Sequence, residues 1–124
     1  MPTQRQLRVN NLLKHEIADI VMRELEDPDL GFVTITGVEV SVDLRHAKVF
    51  VSVLGDDAAK RQSMGVMIRA RHFMRGHLRD RLDLRHIPEL IFRLDDSAER
   101  AQHIEELLRH VAEESSDPDV TDEQ

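Results

Sequence analysis

Between residues 7 and 25, Val9, Leu13, Ile17, Ile20 and Val21 recur at helical spacing, and Lys14, Glu16, Asp19, Arg23 and Glu24 fill positions between them. The pattern predicts an amphipathic helix with one buried stripe. It should end before Asp27-Pro28, because the residue ahead of a proline is driven out of the α region, and Gly31 completes the turn. Residues 32–40 and 47–54 are then dominated by β-branched side chains, with Lys48 and Ser52 alternating against valines in the second run. Both read as strands, and the short polar link through Ser41, Asp43 and Arg45 predicts an antiparallel hairpin. Gly37 interrupts the first run, as a bulge or close backbone approach, or as a weak point in an edge strand.

Gly55-Asp56-Asp57 stops the second strand, and either aspartate can cap a helix beginning near Ala58. Residues 58–82 contain no proline, and Val66, Met67, Ile68, Phe73, Met74, Leu78 and Leu82 cover too much of the circumference for one straight surface helix. Gly65 and Gly76 each cost about 1 kcal/mol relative to alanine. Two helices meeting at a bend around residues 70–72 are therefore expected. Residues 86–94 form a third strand with Pro88 near its beginning, where a missing donor is tolerated. Asp95, Asp96 and Ser97 precede a last helix over residues 98–111, with capping-box spacing between Asp96 and Glu99 and an apolar face of Ile104, Leu107, Leu108 and Val111. Residues 113–124 hold Val120 as their one hydrophobic side chain and are expected to form a disordered tail. The order predicts an α+β domain over residues 1–112, with one three-stranded sheet covered on one face by helices.

Composition narrows the class. The 124 residues suit one domain, and 40% are hydrophobic, too many for a wholly disordered chain. No apolar run approaches the roughly 18 residues that a membrane span needs, and the first residues lack the apolar core of a secretory signal. Without cysteine there is no disulfide framework or zinc-thiolate site, so a cytoplasmic protein without membrane attachment is expected.

Charge changes the picture more. The net −7 argues at first against a nucleic-acid partner, but residues 1–94 hold 15 Lys and Arg against 13 Asp and Glu, whereas residues 95–124 hold 2 against 11. Within residues 60–93, nine basic side chains face only Asp80, Asp83 and Glu89, and His72, His77 and His86 lie among them. At 100° per residue, Arg71, Arg75 and Arg79 share one strip of the second helix of the bent pair, beside Met74, Leu78 and Leu82. Three guanidinium groups so arranged suit phosphate oxygens or base faces, and Lys60, Arg61 and Arg69 extend the cation density along the preceding helix. A solvated face of one sign is the competing reading, although such faces usually mix both signs.

The chain carries no phosphate-binding Gly-rich loop, no HExxH and no Gly-x-Ser-x-Gly. The histidine spacings do not suit one metal ion, and the Asp56-Asp57 and Asp95-Asp96 pairs read as helix caps, so no metal, cofactor or catalytic residue is expected. Trp and Tyr are absent, and Phe32, Phe50, Phe73 and Phe92 fall where core packing is expected. Recognition through phosphate, ribose and shape therefore fits better than aromatic stacking, helped by free N–H groups at the start of the second helix.

The segments Glu26-Asp-Pro-Asp-Leu-Gly31, Val38-Glu-Val-Ser-Val-Asp-Leu44, Ala47-Lys-Val-Phe-Val51, Ile87-Pro-Glu-Leu90 and Asp95-Asp-Ser97, in this order and spacing, resemble the ribosome-binding factor A family of bacterial small-subunit maturation factors. The resemblance covers roughly residues 5–111 and implies a KH-like fold of the second type, with a helix–kink–helix in place of the GxxG turn. It also implies action late in maturation of 16S ribosomal RNA near its 5′ end, association with free 30S subunits, importance in the cold, and no enzymatic activity. A ribosome-associated GTPase could accompany release, and a monomer is expected. Where the family kink typically carries Ala-x-Gly, this chain has Ala70, Arg71 and His72, and histidine tolerates positive φ less readily than glycine.

Charge, spacing and resemblance together make Arg69, Ala70, Arg71, His72, Arg75 and Arg79 the primary RNA-binding candidates. Lys60, Arg61, Arg45, Lys48, Arg5 and Arg8 are secondary ones. Two rivals are a protein-interaction adaptor without RNA affinity and an enzyme whose arginines clamp a phosphorylated small molecule.

Overall fold

The computed structural model describes residues 1–115, which form α1 (Gln4–Arg23), β1 (Val33–Val40), β2 (His46–Val53), α2 (Asp57–Arg69), α3 (Arg71–Arg81), β3 (Glu89–Leu94) and α4 (Ser97–Ser115). β1 and β2 make the expected antiparallel hairpin, with the register slipping between Ile35 and Gly37, so Gly37 does mark a bulge. β3 pairs in parallel with the other edge of β2, giving the order β1-β2-β3. A parallel neighbour needs a crossover, and α2 with α3 supplies it.

Alternation along the strands places Ile35, Val38, Val40, Ala47, Val49, Val51, Val53, Leu90 and Phe92 on one face. Against this face lie the α1 stripe of Val9, Leu13, Ile17, Ile20 and Val21, then Met67 of α2 and Met74 and Leu78 of α3. Most of these side chains are fully buried, and truncating one such aliphatic side chain to alanine costs about 2–5 kcal/mol. α1 is also tied to the exposed edge of the sheet. Gln6 donates its side-chain amide to Val40 O at 3.1 Å, and Val40 N–H donates to Asn10 Oδ1 at 2.8 Å. The edge peptide thus has partners that a strand would otherwise supply.

Local chemistry fixes the turns. Leu44 adopts φ 60 in the hairpin, where Ser41 Oγ accepts from the N–H groups of Arg45 and His46. Gly55 has φ 132, and a Cβ there would lie 2.8 Å from Ala59 Cβ, so the turn from β2 into α2 requires glycine. Asp56 is the N-cap of α2, accepting from Ala59 N–H at 2.8 Å. A full capping box opens α1 between Thr3 and Gln6. The box expected at Asp96 and Glu99 is replaced by ion pairs, Asp96 with Arg100 at 3.0 Å and Glu99 with Lys60.

α1, α2 and α3 cover one face of the sheet, in the KH-like α-β-β-α-α-β arrangement with a kinked helix pair. α4 departs from the expectation that all helices share that face: its residues from Ser97 to Glu114 are exposed, Ile104, Leu107, Leu108 and Val111 included. It also continues through Ser115, past the expected start of the tail, and the rest of that tail lies outside the described residues. Among the described residues no helix is long and apolar enough to cross a membrane.

Candidate nucleic-acid interface

The bend falls at Ala70. Its backbone, at φ −84 and ψ 3, leaves the helical region for one residue, yet its N–H donates to Val66 O and its carbonyl accepts from Met74 N–H, both at 2.9 Å. The hydrogen-bond ladder is thus carried across the break, and the kink needs no left-handed residue. His72 lies in the first turn of α3 with negative φ, so histidine is accommodated where the family pattern has glycine. It is exposed, as are the neighbouring Arg69 and Phe73. The start of α3 has no side-chain cap.

The cations of the pair fall into two groups. Arg75 Nη2 donates to Ile87 O at 2.8 Å and Arg71 Nη1 donates to Leu90 O at 3.4 Å, so two of the three predicted strip residues hold the chain as it runs into β3. Arg75 Nε is buried without a partner in the described structure. Arg81 is clasped by α1, 2.6 Å from Asp19, 3.3 Å from Glu16 and 4.0 Å from Glu24. The hydrogen bond from Arg81 holds the Asp19 carboxyl below its ordinary pKa, and Asp19 in turn raises that of Arg81. Lys60 is half-buried against Glu99 of α4, whose carboxylate raises the lysine's pKa.

Arg61, Arg69 and Arg79 are different: all three are exposed, and none forms a hydrogen bond or ion pair among the described residues. Arg69 folds back along α2, and a Cβ at Gly65 would sit 3.3 Å from its Nη1, so the helix-weakening glycine leaves room for that guanidinium. Arg5, Arg8, Arg45 and Lys48 are exposed as well, but they lie on α1, the hairpin turn and β2, away from the kink. The sequence pattern brings Arg69, Ala70, Arg71 and His72 together at the bend and spreads Arg75 and Arg79 down α3.

One residue passed over by the sequence argument stands out. Phe73, expected in the core, is 46% exposed, and its ring meets His77 edge-on with centroids 4.6 Å apart. Phe32 is likewise on the surface at 81% exposed, Phe50 is half-buried, and only Phe92 of the four is a core residue. The signal for Phe73 was its position, one residue ahead of Met74 and so turned about 100° from the buried stripe.

Beside the kink, a groove of about 370 Å³ is lined by Glu24, Leu25, Glu26 and Asp27 on one wall and Val66, Arg69, Ala70 and Phe73 on the other. A larger apolar groove of about 500 Å³ runs between the end of α1 and β1, past Met22 and Phe32.

The family model described as ribosome-binding factor A matches residues 5–108. A ribosome-binding factor A from Halothermothrix orenii is 47% identical over 114 residues, covering 92% of this chain and 93% of that one. Among solved structures, the crystal structure of ribosome-binding factor A from Thermus thermophilus superposes with TM-score 0.64 at 25% identity, over 72% of this chain and 94% of its own. A homology model of the Thermus thermophilus factor, fitted into an electron cryomicroscopy map of its complex with 30S, matches with TM-score 0.57 at 27% identity, over 70% and 91% of the two chains.

Proposed function

The chain belongs to the ribosome-binding factor A family, and from that premise we propose that it is a non-catalytic assembly factor binding the immature 30S subunit in the cytoplasm. On this reading it assists late maturation of 16S ribosomal RNA near the 5′ end and supports growth in the cold. The single observation that carries the RNA-binding part is the trio of exposed arginines, Arg61, Arg69 and Arg79, without partners among the described residues, on the kinked pair of a chain whose overall charge is negative. An arginine without an internal partner keeps all its donors for phosphate and adds a counterion-release term to binding. Ala70 sets the bend, the exposed His72 contributes a ring donor beside it, and Arg71 and Arg75 hold that surface on the sheet. The likeness to a factor seen with 30S supports the choice of particle. Release by a ribosome-associated GTPase and action as a monomer complete the proposal.

The bare apolar stripe of α4 favours a second reading, a protein-interaction adaptor. Sedimentation of tagged chain through a sucrose gradient of cell lysate separates the two. The proposal expects a peak at free small subunits that moves to light fractions as salt is raised. An adaptor for a soluble protein stays in the light fractions at every salt concentration, and that result overturns the ribosomal reading.

A further inference from the structure

One wall of the groove at the kink is a poor phosphate site. Glu24, Glu26 and Asp27 line it, and carboxylates repel phosphate oxygens. They suit the opposite chemistry, that of an amino group. One oxygen of Asp27 accepts from Asp29 N–H at 2.9 Å, and Glu24 lies near His77 and Arg81. Glu26 is exposed and has no hydrogen-bond or ion-pair partner among the described residues. Facing these acids, Phe73 presents a half-exposed ring that meets His77 edge-on. Arg69, lining the same groove, carries a guanidinium without a partner among the described residues.

An aromatic face, an amine acceptor and a phosphate fork around one groove are complementary to a single nucleotide turned out of its stack. We infer that this groove receives one unstacked nucleobase bearing an exocyclic amine, adenine, cytosine or guanine, stacked on Phe73, with its amine donating to Glu26 and its phosphate held by Arg69. The inference rests on the RNA-binding reading and adds base selectivity to a surface otherwise blind to sequence. Uracil has a carbonyl where cytosine has the amine, and would set an acceptor against the carboxylate.

The test is binding of the full chain to short single-stranded RNAs made only of adenosine, of cytidine or of uridine, followed by NMR at the Phe73 ring and by fluorescence anisotropy across a salt series. Adenosine and cytidine RNAs should bind about tenfold more tightly than uridine RNA, the scale of one stacked and hydrogen-bonded base. Phe73→Leu, which keeps apolar bulk at the kink, should lose about tenfold for the adenosine RNA with its salt slope unchanged. Glu26→Ala should erase the preference over uridine and leave uridine binding intact. Equal, salt-sensitive affinities for the three RNAs, or a folded Phe73→Leu that binds adenosine RNA as well as the parent, overturn the base site and leave the basic RNA surface standing. No salt-sensitive binding to any of the three overturns both.

Discussion

In α3, Arg71 and Arg75 direct their guanidinium groups at the carbonyls of Leu90 and Ile87, and Arg81 is held by carboxylates of α1. In α2, Arg61 and Arg69 point at nothing in the described structure. The two halves of one bent pair thus carry arginines of the same type and use them in opposite ways. α3 is bolted to the sheet on one side and to α1 on the other; the kink and α2 present what is left. Arg79 is the exception within α3, exposed and without a partner among the described residues. Net local charge counts both kinds alike, so it locates the surface without saying which cations are free to meet a phosphate.

The comparison breaks first at Arg75. Arg75→Ala should cost about 2 kcal/mol by leaving the Ile87 carbonyl without its donor, read from the midpoint of urea denaturation, while Arg69→Ala and Arg79→Ala should stay within about 0.5 kcal/mol. Equal effects at the three positions would erase the distinction. Arg81→Ala should lower the melting temperature by less than Arg75→Ala, and it should also weaken the dependence of stability on pH in acid, because Asp19 has its depressed pKa from this contact.

The smallest effect lies where α4 leaves the sheet. Thr36 Oγ1 donates to Asp95 at 2.7 Å, and with Ser97 it holds the Asp95 carboxyl down at about 2 from the ordinary 3.8. A depressed carboxylate pKa contributes stability above the unfolded value and loses it as pH falls through the folded one. Thr36→Val should therefore destabilise slightly at neutral pH and flatten the loss of stability between about pH 4 and pH 2, as measured by thermal melts across that range. A pH profile identical to the parent's would remove Asp95 from the account.

Much of this was legible in the chain. The α1 stripe, the hairpin and a bend within residues 70–72 follow from periodicity and from where glycine and proline fall, whereas Gly37 alone left a bulge and a weak edge point both open. The roles of Arg71 and Arg75 did not, because their acceptors are backbone carbonyls, which leave no mark on a residue pattern. The Gln6 and Asn10 clamp on Val40 left a fainter one, two amides one helical turn apart beside the apolar stripe. The isolation of α4 was illegible for another reason. Its spacing specifies an apolar face, but a face does not say whether this chain supplies something to cover it. Phe73 shows the same limit in a single residue: hydrophobic character placed it inside, and helical phase turned it out.

On the proposed function, free arginines at and beyond the kink, rather than basic charge in general, hold the chain on the small subunit. Co-sedimentation of purified chain with isolated 30S subunits across a salt series compares the parent with Arg69→Glu/Arg79→Glu, both positions exposed and without partners among the described residues. The double variant should keep the parent's melting temperature, bind at least about tenfold more weakly, and show a salt slope shallower by about two contacts. A folded double variant that pellets with 30S subunits as the parent does, at every salt concentration, would contradict it.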